Sequence, residues 1–113
     1  MGNPFGNLGG IGNLGNMMKQ VKKITEDIQK ANEELNEARV EATSGGGMVR
    51  AVATGNGEIL EVKIDPKVVD PDDVEMLEDL VTSAVREAIA RANQMRAERM
   101  QQATGGLSLP GLF

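Results

Sequence analysis

The chain has 113 residues, 40% of them hydrophobic but only two aromatic, Phe5 and Phe113, so it is long enough for one domain with a thin core, and association with a second copy is expected. Cysteine and histidine are both absent, which excludes disulfides, thiolate nucleophiles, Cys/His zinc sites and the commonest general base. A net charge of −5 speaks against a nucleic-acid partner until the charges are placed along the chain.

Residues 1–16 are low in complexity, with Gly and Asn framing Phe5, Leu8, Ile11 and Leu14 at every third position; they read as a flexible arm. Met1 to Gly15 lacks a basic start and a continuous apolar run, and no stretch approaches the roughly 20 apolar residues of a membrane span. A cytoplasmic protein without a membrane partner is expected. From Met17 the pattern becomes a heptad seam of Met17, Val21, Ile24, Ile28, Ala31, Leu35 and Ala38, the mark of a helix of about 24 residues that needs another helix beside it. Lys19, Lys22, Lys23 and Lys30 fall at b, c and f positions, away from that partner.

The stretch from Thr43 to Asp65 is the β-like part. Val40 to Thr43 can form a short first strand ahead of the turn at Ser44-Gly45-Gly46-Gly47. In the second strand Val49, Ala51 and Ala53 share a face; in the third, Leu60, Val62 and Ile64 do. Between them Gly55-Asn56-Gly57 reads as a hairpin turn of type I′, whose two central residues both need positive φ. The meander has one apolar and one mixed face and needs a cover. These six apolar residues are the expected dimer interface.

After Asp65-Pro66 ends the sheet, Asp70-Pro71-Asp72-Asp73 reads as a helix start, with Asp70 as N-cap and Pro71 at the first helical position. It is not a calcium loop: counted from Asp70, the required glycine and glutamate positions hold Glu75 and Val81. The second helix runs from about Asp72 to about Ala103. Leu77, Leu80, Val81, Ala84, Val85, Ala88, Ile89 and Ala92 form a stripe broad enough to cover a sheet. Beyond Met95 the next stripe position is Arg99, so the last turns should project past the core. Gly105-Gly106 stops the helix, and residues 105–113 read as a flexible tail. The domain proper is 17–104.

Charge is segregated along this frame. Residues 17–30 carry +2, 31–41 carry −3, the strands 0, 65–79 carry −6 and 80–103 carry +2. If the first helix runs toward the sheet and the second away from it, the basic ends meet in a positive tip on a negative body. Lys19, Lys22, Lys23, Lys30, Arg91, Arg96 and Arg99 are the candidate phosphate contacts, able to position duplex DNA without reading its sequence. Other chemistries find no support. The serines lack a histidine, and Gly45-Gly46-Gly47 is followed by Met48 rather than Lys-Ser or Lys-Thr, so no enzyme, cofactor, metal or small-molecule substrate is expected. No aromatic platform exists for stacking bases, and a whole sheet separates the helices, which rules out a helix-turn-helix.

Taken together, Asn16-Met17-Met18-Lys19-Gln20, Gly45-Gly46-Gly47-Met48-Val49, Glu61-Val62-Lys63-Ile64-Asp65-Pro66, Leu77-Glu78-Asp79-Leu80-Val81 and Gly105-Gly106-Leu107 resemble, in order and spacing, the YbaB/EbfC family of bacterial nucleoid-associated DNA-binding proteins. The resemblance implies an intertwined homodimer whose helical arms project onto DNA like tweezers, and a place in the nucleoid. The expected fold is therefore α+β: a long helix, a three-stranded antiparallel meander and a second long helix. A competing expectation is a protein-interaction module, such as a holdase resembling prefoldin subunits, which would carry exposed apolar residues at its tip.

Overall fold

The computed structural model describes residues 11–105. Its elements are α1 (Ile11–Glu37), β1 (Arg39–Ser44), β2 (Val49–Thr54), β3 (Ile59–Ile64) and α2 (Val74–Ala103), with short 3-10 turns at Gly45–Gly47 and Pro66–Val68. The strands form one antiparallel sheet in the order β1-β2-β3, so the expected α+β meander between two long helices is the observed fold.

Helix α1 starts at Ile11 rather than Met17. Ile11, Leu14, Met18 and Val21 already repeat at helical spacing, which outweighs the cost of Gly12 and Gly15. Residues 1–10 of the expected arm, and the expected tail beyond Gly105, lie outside the described residues. At its other end α1 is closed by Arg39, whose Nη1 donates to the carbonyls of Asn36, Glu37 and Ala38 at 3.0–3.4 Å, satisfying groups that the last turn leaves without partners.

Two turns differ from expectation in instructive ways. At the β2–β3 turn no non-glycine residue has positive φ, and only Gly57 does, at 88°. This is not a type I′ hairpin. The Gly57 N–H donates to the Thr54 carbonyl at 3.0 Å, and the Thr54 N–H donates to the Glu58 carbonyl at 2.9 Å, the pattern of a longer loop closed by one left-handed glycine. The loop is shaped by its contact with α1. The Gly55 N–H donates to the Leu35 carbonyl at 2.8 Å, and a Cβ on Gly55 would lie 2.8 Å from Leu35 Cδ2 and 3.0 Å from its carbonyl oxygen.

The start of α2 also differs from expectation. Its N-cap is Asp73, which accepts a hydrogen bond from the Met76 N–H at 3.2 Å, and not Asp70. The Asp73 N–H donates to the Asp70 carbonyl at 3.0 Å, so Asp70 to Asp73 is a β-turn with Pro71 in the position where a fixed φ is favoured. The Asp70 carboxylate accepts from the Asp72 N–H and that of Asp65 from the Lys67 N–H, both at 2.9 Å. The acidic run thus serves two turns and a cap.

Helix α2 lies across β1 and β2. Ala42, Val49, Ala51 and Ala53 of the sheet meet Ala84 and Ala88 of the helix, with Ile59, Val68, Leu80, Val81 and Val85 packed around them. Alanine on both sides lets the helix come close to the sheet, but the largest fully buried side chain is Val49, so the core is as thin as the composition implies. Val49, Ala51 and Ala53, expected at a dimer interface, are fully buried within the single chain. The Ser44 Oγ donates to the Leu80 carbonyl at 2.6 Å and holds the glycine turn against the helix.

Beyond the sheet the last turns of α2 do not project alone. Ala103 and Thr104 are buried, packed beside α1, which runs antiparallel to them and scarcely touches the sheet. The helices overlap over only part of their lengths, giving an elongated molecule of 79 × 25 × 16 Å.

Candidate nucleic-acid interface

The arm is made by α1 together with the C-terminal turns of α2. Gln20, Lys23 and Ile24 of α1 face Gln102, Thr104 and Gly105 across a shared groove, so the basic start of one helix does lie beside the end of the other. Lys19, Lys23 and Lys30 recur at near-integral numbers of turns and share one side of α1, with Lys22 beside them. All four are exposed, and among the described residues none has a carboxylate oxygen within 4 Å.

The arginines are distributed differently. From Ala103 back to Arg91 is about 18 Å along the helix axis, so α2 strings its cations down the arm toward the sheet rather than gathering them at the tip. Arg91 Nη1 donates to the Glu41 carbonyl at 2.8 Å and Nε to the Glu87 carboxylate at 3.1 Å; it fastens α2 to the outer edge of β1. Arg99 Nε donates to Glu34 Oε2 at 2.7 Å and joins the two helices of the arm. Arg96 is exposed beside Asn93 and Met100. Of the seven candidate cations, then, Lys19, Lys22, Lys23, Lys30 and Arg96 present their charge to solvent, while Arg91 and Arg99 are engaged within the chain. Local charge pattern could not show these pairings, which span 50 and 65 residues. One signal was available: Arg99 occupies an apolar-stripe position of α2, where a cation needs an acidic partner.

The hydrogen bond from Arg99 holds the Glu34 carboxyl below the usual carboxylate range, aided by the charges of Arg99 and Lys30 and opposed by desolvation. The same bond raises the Arg99 guanidinium. Because the folded-state pKa of Glu34 is depressed, the pair stabilises the arm above the unfolded-state value of about 4.3, and that contribution is lost as the pH falls through the folded-state value. The thermal midpoint of Glu34→Gln, followed by circular dichroism, should therefore lie below that of the parent at neutral pH and converge with it as the pH falls below the usual carboxylate range. A gap of constant size across this range would show that the pair contributes nothing that titrates.

A helix–meander–helix frame, with a two-helix arm clear of the sheet that exposes Lys19, Lys22, Lys23 and Lys30, defines a class of small α+β protein. The comparison with known proteins makes that class particular: residues 10–107 match the model of the YbaB/EbfC DNA-binding family, and the chain belongs to that family. It is 52% identical over 108 residues to a nucleoid-associated protein of Thermoanaerobacter pseudethanolicus, covering 96% of this chain and 97% of the relative. A nucleoid-associated protein of Ruminiclostridium cellulolyticum is 49% identical, with 99% and 96% covered. The crystal structure of an uncharacterized protein from Helicobacter pylori shares the fold with a TM-score of 0.59 at 22% identity, over 69% of this chain and 90% of that one. No helix among the described residues is long and apolar enough to cross a membrane.

Proposed function

We propose that the protein is a homodimeric, nucleoid-associated binder of double-stranded DNA that holds phosphates through the basic helix ends, with relaxed sequence preference. The observation that carries this reading is the row of lysines along α1 that have no carboxylate partner among the described residues, set on an arm away from the acidic residues 65–79. Helix cations of this kind are free to replace condensed counterions on a duplex, and they read no base edges in doing so. Binding to an unrelated duplex, followed by gel shift at several salt concentrations, should fall with a log–log slope of about −4 to −5 if about four to six phosphates are engaged. No binding at low salt would refute the reading.

Dimerisation is supported by the apolar strip that α2 leaves bare. In the antiparallel register Val62 lies opposite Ala51 and Ile64 opposite Val49, so they share the core face of the sheet, yet α2 barely reaches β3. Leu60, Val62 and Ile64 are exposed, as are Val69, Val74 and Met76 nearby. An apolar patch of this kind on a thin-cored chain is suited to a second copy, which would also supply a second arm and raise avidity. Replacing Val62 and Ile64 together by aspartate should give monomers by light scattering at micromolar concentration. A dimer that persists unchanged would place the interface elsewhere.

A protein-interaction reading has one observation in its favour: Leu14, Met17, Met18 and Val21 are exposed at the start of the arm. Suppression of client aggregation that is lost in Met18→Asp but retained in lysine variants would select it over DNA binding.

A further inference from the structure

The apolar seam of α1 is covered in proportion to the length of its neighbour. Near the sheet Leu35 is 2% exposed and Ala31 fully buried; Ile28 and Ile24, beside the last turns of α2, are half-buried; Val21, past the end of α2, is 63% exposed and Met18 66%. Helical spacing places Leu14, Met17, Met18 and Val21 on one continuation of that stripe, and they line a single open apolar groove with Lys22. Helix α2 covers the stripe up to this point. Past α2 the chain continues from Gly106 to Phe113, with Leu107, Leu109, Leu112 and Phe113.

We infer that residues 106–113 of the same chain dock along the exposed stripe of α1 and extend its cover beyond the end of α2. The starting point is correct, because Gly105 and Thr104 already line the groove against Gln20, Lys23 and Ile24, and Thr104 is buried there. The direction is correct, since α2 runs antiparallel to α1 and its continuation heads toward Leu14. The reach is sufficient: eight extended residues span up to about 26 Å, whereas the stripe from Ile24 to Leu14 is about 15 Å long. The chemistry matches as well, four apolar side chains for four. The docked segment leaves Lys19 and Lys23 open, because both lie on the far side of the helix axis from the middle of the stripe, while Lys22 borders the groove.

The absence of native cysteine makes the test direct. In the full-length chain carrying Met18→Cys with Leu109→Cys, mild oxidation should form a disulfide within one chain about tenfold faster than in the pair Lys19→Cys with Leu109→Cys, since docking raises the effective concentration of one pair only. Equal rates on the two faces would overturn the inference. A product of twice the chain mass would overturn it too, assigning the stripe to a second copy. As a second readout, a polarity-sensitive fluorophore on Met18→Cys should shift its emission to the red when residues 106–113 are removed; emission unchanged by the truncation would overturn the docking as well.

Discussion

Exchanging Lys19, Lys22 and Lys23 together for glutamate should weaken duplex binding at least about a hundredfold and reduce the steepness of its salt dependence by about 3 units, roughly one for each phosphate deprived of its cation. All three are exposed, helical and without carboxylate partners among the described residues, so the folded chain should tolerate the change and give a parent-like thermal midpoint. Arg91→Gln makes the contrast. Its guanidinium already binds the Glu41 carbonyl and the Glu87 carboxylate, so that substitution should lower the melting temperature while leaving the salt slope in place. If the lysine variant bound DNA with the parent's affinity and slope, the arm would not be the contact surface.

A second large effect is expected at Gly55, this time on folding. A Cβ there meets Leu35 Cδ2 at 2.8 Å, the Leu35 carbonyl oxygen at 3.0 Å and its Cα at 3.2 Å. The flexible Cδ2 can turn aside, but the two backbone atoms yield only if α1 moves away from the loop, which also lengthens the 2.8 Å Gly55–Leu35 hydrogen bond. Gly55→Ala should cost about 2–3 kcal/mol, lowering the melting temperature by roughly ten degrees or more. Gly46→Ala is the informative comparison. Its φ is 68° but nothing lies within 4 Å of the added carbon, so only backbone strain of about 1 kcal/mol remains. Equal losses at the two positions would mean that the α1 junction is soft.

How much of this was legible in the sequence depended on whether the deciding contact was local. Periods of two and of seven are local, and the strands and helices fell where those periods place them. The cap of α2 was displaced from Asp70 to Asp73 because two readings of Asp-Pro-Asp-Asp compete, and a turn closed by the Asp73 N–H won. The two apolar strand faces were a different case. Val49, Ala51 and Ala53 look no more buried in sequence than Leu60, Val62 and Ile64; register puts Val62 and Ile64 on the same side of the sheet as Ala51 and Val49, while a bulge brings Ile59 rather than Leu60 opposite Ala53. A helix about 10 Å wide covers two strands spaced about 4.8 Å apart, not three, so where α2 crosses decided which group became core. Position along the sheet edge leaves no periodic trace. The site divided in the same way: the cations could be counted from the sequence, but which of them Glu34 and Glu41 had already engaged could not.

The docking of Gly55 on Leu35 also sets how the tip can move. That contact stands at the sheet end of α1, and Lys19 is about 24 Å away along the axis, with no sheet beneath the intervening turns. The arm is therefore a lever with a short anchored end. A tilt of about 10° at the junction carries Lys19 through about 4 Å, close to the roughly 3.4 Å advance from one phosphate to the next along a DNA strand. The tight Gly55–Leu35 contact, with its 2.8 Å hydrogen bond, therefore limits the tilt of α1 at its sheet end and, through the length of the lever, the travel of Lys19 at the tip.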